Sequence, residues 1–246
     1  MSSPVVLSLA TVGQVGEGFV HERSGGNRPC QDTQSLFCFD WAKDNIGRYE
    51  TPAVQHLELV AISVLGGLAI AFALAVLAHR HRWLQPPLLA GTGVLYTIPS
   101  VAFFFLLLPI TGRGFDTAVI ALSAYTLQII YRNTMAGLAN VPAAVKDAGR
   151  GMGLTARQLF WRVELPLATP EIIAGMRIAT VSTVALATLA VFAGAGGLGE
   201  PIYRFIDFKT NIILAGGIAI LMAIAFDAVL LGVQRLTTPW RRAAES

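Results

Sequence analysis

Four histidines, His21, His56, His79 and His81, are the first residues to weigh for chemistry. None stands in an HExxH or comparable metal-ligand pattern. His79-Arg80-His81-Arg82 alternates imidazole with guanidinium at the edge of an apolar run, which reads as a solvated basic patch. Cys30 and Cys38 are the only cysteines, eight positions apart and without a CxxC. In an oxidising compartment they would form a disulfide and elsewhere two free thiols, and the spacing leaves both open. No GxSxG elbow marks a nucleophile. Gly194-Ala195-Gly196-Gly197-Leu198-Gly199 satisfies GxGxxG by letter. It closes an apolar run and joins no strand to a helix, so it reads as a tight small-residue turn that lets helices pack closely. No catalytic, metal-ligating or cofactor-binding residue is expected. There is also no GxxxxGK[ST] phosphate loop, so the chain is expected to obtain any ATP energy from a partner.

The elements that would hold such residues are membrane elements. Of 246 residues, 54% are hydrophobic and 13% charged, with a mean hydropathy of +0.60. A soluble domain carries about 25% charged residues. The net charge of +3 does not indicate nucleic acid, because the basic residues flank apolar spans and form no stripe with interleaved aromatics. Residues 1–50 read as a polar tail, residues 51–240 as a membrane domain, and residues 241–246 as a second short tail. About 20 apolar residues cross a bilayer. Five such spans are expected: Ala53–Ala78, Pro86–Ile110 with a kink at Pro99, Thr117 to about Ile130, Ile172–Ala195 and Asn211–Val233.

Orientation follows from Lys and Arg, which collect in cytoplasmic connections. The first link, the connection from Arg132 to Pro170 and the C-terminal tail share one side and hold ten Lys and Arg, against three on the other side. That places the large loop and the C-terminus in the cytoplasm and the N-terminus outside.

The large loop reads as a two-helix knuckle. Gly153 supplies the left-handed residue that ends the first helix, and Thr155 caps the second. Leu159, Phe160, Val163 and Leu165 give the second helix an apolar face, and Pro166 and Pro170 are expected to end it before the fourth span. A projecting helix pair suits insertion into a groove on another protein.

This segment resembles the EAA loop of ATP-binding-cassette importer permeases: EAA, three residues, Gly, nine residues, Ile-x-Leu-Pro. Asp147-Ala148-Gly149, Gly153 and Val163-Glu164-Leu165-Pro166 match it at the same spacing, with Asp for Glu and Gly for the second Ala. Thr97-Ile98-Pro99-Ser100, Tyr131-Arg132-Asn133-Thr134 and the Gly194–Gly199 run extend the resemblance to the branch importing glycine betaine, choline or carnitine. It covers about residues 53–240. The implied fold class is an all-α integral membrane protein, with the five-transmembrane-helix core of a type I ABC importer permease and cytoplasmic coupling helices.

The resemblance implies a multi-pass protein of the bacterial inner (plasma) membrane. Its implied partners are the lipid bilayer, a cytoplasmic ATP-binding-cassette ATPase, a second permease subunit, identical or similar, and an extracytoplasmic substrate-binding protein. It assigns ATPase coupling to Asp147, Ala148, Gly149, Gly153, Leu154, Phe160, Leu165 and Pro166. Tyr96, Pro99, Ser100 and Asp227 are candidates for the substrate path or its gate. Asp227, inside a span, is expected to pair with a basic or hydroxyl partner in the bundle. A different small solute, such as an amino acid, sulfonate or phosphonate, and an ATP-independent channel or carrier are the alternatives.

Overall fold

The computed structural model describes residues 36–239; Cys30, Arg241 and Arg242 lie outside the described residues. Cys38 is disulfide-bonded. Ten α-helices follow one another, with no strand among the described residues. They are α1 (Phe39–Asn45), α2 (Glu50–Arg80), α3 (Gln85–Thr97), α4 (Ser100–Thr111) and α5 (Phe115–Ala139), then α6 (Ala143–Gly151), α7 (Ala156–Leu159), α8 (Leu165–Ala187), α9 (Gly199–Arg204) and α10 (Lys209–Thr237).

Long-range contacts fix the two ends of the bundle. At one end Tyr49, just before α2, donates its hydroxyl to Asn211 at the start of α10. At this end too, Leu198 N–H donates to His56 Nδ1 at 3.4 Å, and Gly114 N–H donates to the Ala193 carbonyl at 2.8 Å. At the other end Gln85 donates to the Ala78 carbonyl at 3.3 Å, Lys146 to Leu138 at 3.3 Å, and Gln234 to Pro170 at 3.2 Å. The chain therefore passes between the same two ends five times, through α2, the α3–α4 pair, α5, α8 and α10. Three continuous helical stretches, Phe39–Arg80, Ala156–Ala193 and Lys209–Thr237, are long and apolar enough to cross a membrane, and the bent α3–α4 pair passes the same test when taken as one span.

The remaining pass, α5, third in chain order, is 25 residues long and the least apolar of them. It lies at the centre, packed on α2 and α8, so its surface meets protein. Small residues allow that closeness. A Cβ on Gly67 would meet Thr126 Oγ1 at 1.7 Å, and one on Gly175 would meet Asn133 Cβ at 2.5 Å. The Ser63 carbonyl accepts from Ser123 Oγ at 3.1 Å.

Three expectations change. The second span is broken at Ile98-Pro99, and its halves stand 98° apart. Ile98 and Pro99 are both extended, at ψ 127° and 132°, because the proline ring pushes the preceding residue out of the helical region. The Ile98 carbonyl accepts from the hydroxyl of Tyr125 on the neighbouring helix α5. Second, Pro166 and Pro170 do not end a helix: both lie within the first turns of α8. Third, Phe39–Tyr49, placed by sequence in the polar tail, is helical and docks on α10. Trp41 stacks edge-on against Phe208 at 4.7 Å, and Cys38 N–H donates to Thr210 Oγ1 at 3.0 Å.

The glycine run after α8 behaves as a tight turn. Gly194, Gly196 and Gly197 have φ of 77°, 75° and 83°. A Cβ on Gly199 would lie 1.8 Å from the Thr188 carbonyl oxygen. No larger residue fits there without moving backbone.

Candidate coupling site

Two short helices, α6 and α7, project between α5 and α8. Pro142 stands at the N-cap of α6, where its missing N–H costs nothing. The C-terminus of α6 closes as a Schellman motif. Leu154 N–H donates to the Gly149 carbonyl at 3.2 Å and Gly153 N–H to the Arg150 carbonyl at 2.9 Å. Gly153 sits at φ 79°. Thr155 then caps α7 with a capping box: its Oγ1 accepts from Gln158 N–H at 3.3 Å, and its own N–H donates to Gln158 Oε1 at 2.9 Å. Two adjacent caps with satisfied backbone groups make the knuckle rigid at its tip.

Gly149 explains a departure from the EAA pattern. It is the one buried residue of α6, and a Cβ there would lie 2.6 Å from Leu159 Cδ1. Glycine lets α6 and α7 touch.

Beyond α7 the helix widens into a π turn over Phe160–Glu164. Pro166 supplies the cause, since its ring would clash with the carbonyl of Arg162 four residues back in an α-helix. The turn directs Glu164 inward, where it is 5% exposed. Glu164 Oε2 lies 2.6 Å from His79 Nε2 on α2, off the axis of a straight hydrogen bond. Its Oε1 lies 4.0 Å from Lys146 Nζ on α6. His79 thus belongs to a buried polar link rather than to a solvated patch.

The predicted coupling residues separate into three groups by exposure. Asp147, Ala148 and Gly153 are exposed, and Asp147 pairs with Arg150 at 2.9 Å on the open face. Leu154, Leu165 and Pro166 are half-buried. Gly149 and Phe160 are buried, with the Phe160 ring 5.1 Å from that of His79 and packed with Leu138, Ala168 and Ile172. Phe160 supports the knuckle from behind and offers no contact surface. Met152, 74% exposed, and Val145 share the outer side of α6 with Ala148. Their spacing of three and four residues was the available signal, one that motif matching passes over. Glu164 was missed too, although a lone acid inside an apolar motif is such a signal.

The candidate path residues also separate. Tyr96 lies edge-on to Tyr125 at 5.9 Å, and Phe103 contacts the same ring at 5.8 Å, so Tyr96, Pro99 and Ser100 gather around the break. Asp227 is not brought to them. It lines a groove between α8 and α10 with Val181, Ile220 and Ile224, and it holds Arg177 through two hydrogen bonds of 2.7 and 2.8 Å. Asp227 has the basic partner expected of it.

Comparison with known proteins agrees with this architecture. Residues 64–243 match the family described as binding-protein-dependent transport system inner membrane component. The osmoprotectant import permease protein OsmW of Salmonella typhimurium is 38% identical over 203 residues, covering 80% of this chain and 94% of that protein. The glycine betaine/carnitine/choline transport system permease protein OpuCD of Bacillus subtilis is 36% identical, covering 76% of this chain and 83% of that protein. A chain of the inward-facing MetNI methionine ABC transporter shares the fold, with a TM-score of 0.68 at 19% identity, covering 80% of this chain and 98% of that one. This chain belongs to the binding-protein-dependent transport system inner membrane component family, the permease subunits of ABC importers.

Proposed function

We propose that this chain is the permease subunit of an ATP-driven importer for quaternary-amine osmoprotectants, with the outer side of α6 as the docking surface for its ATPase. The carrying observation is the knuckle itself. Two back-to-back caps rigidify it, and Asp147, Ala148 and Met152 stand exposed on its outer side while Phe160 and Glu164 anchor it to α2. Such a lever suits the conversion of ATPase closure into a rearrangement of the spans. Quaternary amines are favoured by the substrates named for the relatives.

In this reading the five passes all cross the inner membrane, and the ends bearing His79, the knuckle and Gln234 face the cytoplasm. The N-terminus faces outward, the side from which a binding protein delivers substrate. A second permease subunit completes the path, with the α3–α4 break around Tyr96, Pro99 and Ser100 as its gate.

The test is uptake into proteoliposomes holding the permease, its ATPase and its binding protein, with labelled glycine betaine, choline and carnitine. Uptake is expected only with ATP inside. Uptake indifferent to ATP would sink the importer reading, and ATP-driven uptake of a sulfonate or an amino acid alone would replace the substrate class.

A further inference from the structure

Beside the knuckle, the end of α2, the start of α3, the last turns of α5 and the start of α6 enclose a cavity of about 720 Å³. Its charged lining is of one sign, Arg82, Arg132 and Lys146, with no carboxylate, and the His79 imidazole stands beside them. His79 is engaged by Glu164, and Lys146 donates to the Leu138 carbonyl while standing 4.0 Å from Glu164. Arg82 and Arg132 have no hydrogen-bond or ion-pair partner among the described residues.

A second, independent observation lies in the wall. Tyr131 is 1% exposed and lines this cavity, and its buried hydroxyl has no hydrogen-bond partner among the described residues. A buried hydroxyl without a partner is costly. The exposed guanidiniums of Arg82 and Arg132 and the buried Tyr131 phenol are donors without a protein acceptor among the described residues, the Lys146 ammonium stands beside them, and a tetrahedral oxyanion supplies several acceptors on one centre. Leu89 and Met135 give the same cavity an apolar side. Trp83, 74% exposed on the adjoining link, has the character of a membrane-interface anchor.

We propose that this cavity is a binding site for a phosphate-bearing anion, held by Arg82, Arg132 and Lys146 with the Tyr131 hydroxyl donating to one oxygen. Because these residues come from the α2–α3 link, α5 and α6, the anion ties the base of the knuckle to two membrane passes. A phospholipid headgroup and a soluble phosphate ester share this chemistry.

The test uses the full-length permease in nanodiscs. Native mass spectrometry compares retention of phosphatidylglycerol with phosphatidylcholine, and sn-glycerol 3-phosphate is titrated into phosphatidylcholine discs. Retained phosphatidylglycerol assigns the site to lipid; saturable glycerol phosphate binding without it assigns the site to a soluble ester. Either affinity should fall roughly thirtyfold in the Arg82→Gln/Arg132→Gln variant and about tenfold in Tyr131→Phe, which keeps the ring and its packing. Lys209→Gln at the opposite end is the charge control and should change neither. Binding of neither probe by the unmodified protein overturns the proposal, as does undiminished binding by both site variants. Neither readout depends on transport, so failure here leaves the importer reading standing.

Discussion

His79 Nε2 and Glu164 Oε2 stand 2.6 Å apart, joining the last turn of α2 to the π turn behind the knuckle. Glu164→Ala removes the acid from both His79 and Lys146 and leaves a polar void at a site only 5% exposed. A loss of about 1–3 kcal/mol is expected, below the value for a fully buried pair because His79 is partly open to solvent. Thermal unfolding in detergent should show the lowered midpoint, and ATP-coupled uptake should fall by about tenfold or more. Glu164→Gln keeps an acceptor for His79 and should retain most of the stability. Equal losses for the two variants would contradict the pairing.

Gly153 tests the knuckle tip without touching its packing, since a Cβ there has nothing within 4 Å. The cost of a substitution is then backbone strain alone, about 1–2 kcal/mol for an ordinary residue in the left-handed region. Uptake should decline in the order Gly153→Asn, Gly153→Ala, Gly153→Val, because Asn tolerates that region and a β-branched residue does not. Membrane levels measured by immunoblot should stay constant across the series.

Tyr125→Phe deletes the hydroxyl that serves the Ile98 carbonyl at the α3–α4 break. The ring contacts with Tyr96 and Phe103 remain possible. An orphaned carbonyl should cost about 1–3 kcal/mol, read as a lower unfolding midpoint. If the break is the gate, substrate-independent ATP hydrolysis by the assembled importer should also rise. An unchanged midpoint would show that the hydroxyl is dispensable to the break.

Arg177 and Asp227 make a bidentate pair between α8 and α10. Arg177→Ala and Asp227→Ala should each lower the amount of folded protein recovered by size exclusion, because each leaves a lone charge inside a span. The exchange Arg177→Asp/Asp227→Arg should recover part of that loss. A double variant worse than either single change would mean that the two residues act separately.

The knuckle was the most legible part of the fold. Gly153 and Thr155 are local signals, and a Schellman turn and a capping box are built from residues within five positions of one another. The acid at Asp227 was legible as a paired group, since a charge in a span demands a partner. The break at Pro99 was harder. Membrane helices tolerate proline, and whether the chain kinks or snaps there depends on Tyr125, 27 positions beyond Ile98 on another helix. The burial of Phe160 was hidden for a related reason: an apolar residue on a short amphipathic helix serves the core or a partner equally well, and only the placement of Leu138 and Ile172 decides. Pro166 misled because the rule that proline ends a helix does not foresee a π turn taking up the clash.

That π turn governs rotational phase. Phe160, Glu164, Ala168 and Ile172 follow one another at strides of four and are all buried, at 7%, 5%, 0% and 8% exposure. In a plain α-helix each stride of four drifts about 40° around the axis, and three strides would carry the last residue well away from the first. The wider turn winds more slowly and takes back much of that drift. It acts as a vernier between knuckle and membrane pass, keeping one continuous seam inward from the tip of the loop into the bilayer. In the proposed coupling, torque applied to α7 would thereby reach α8 without a slip of face.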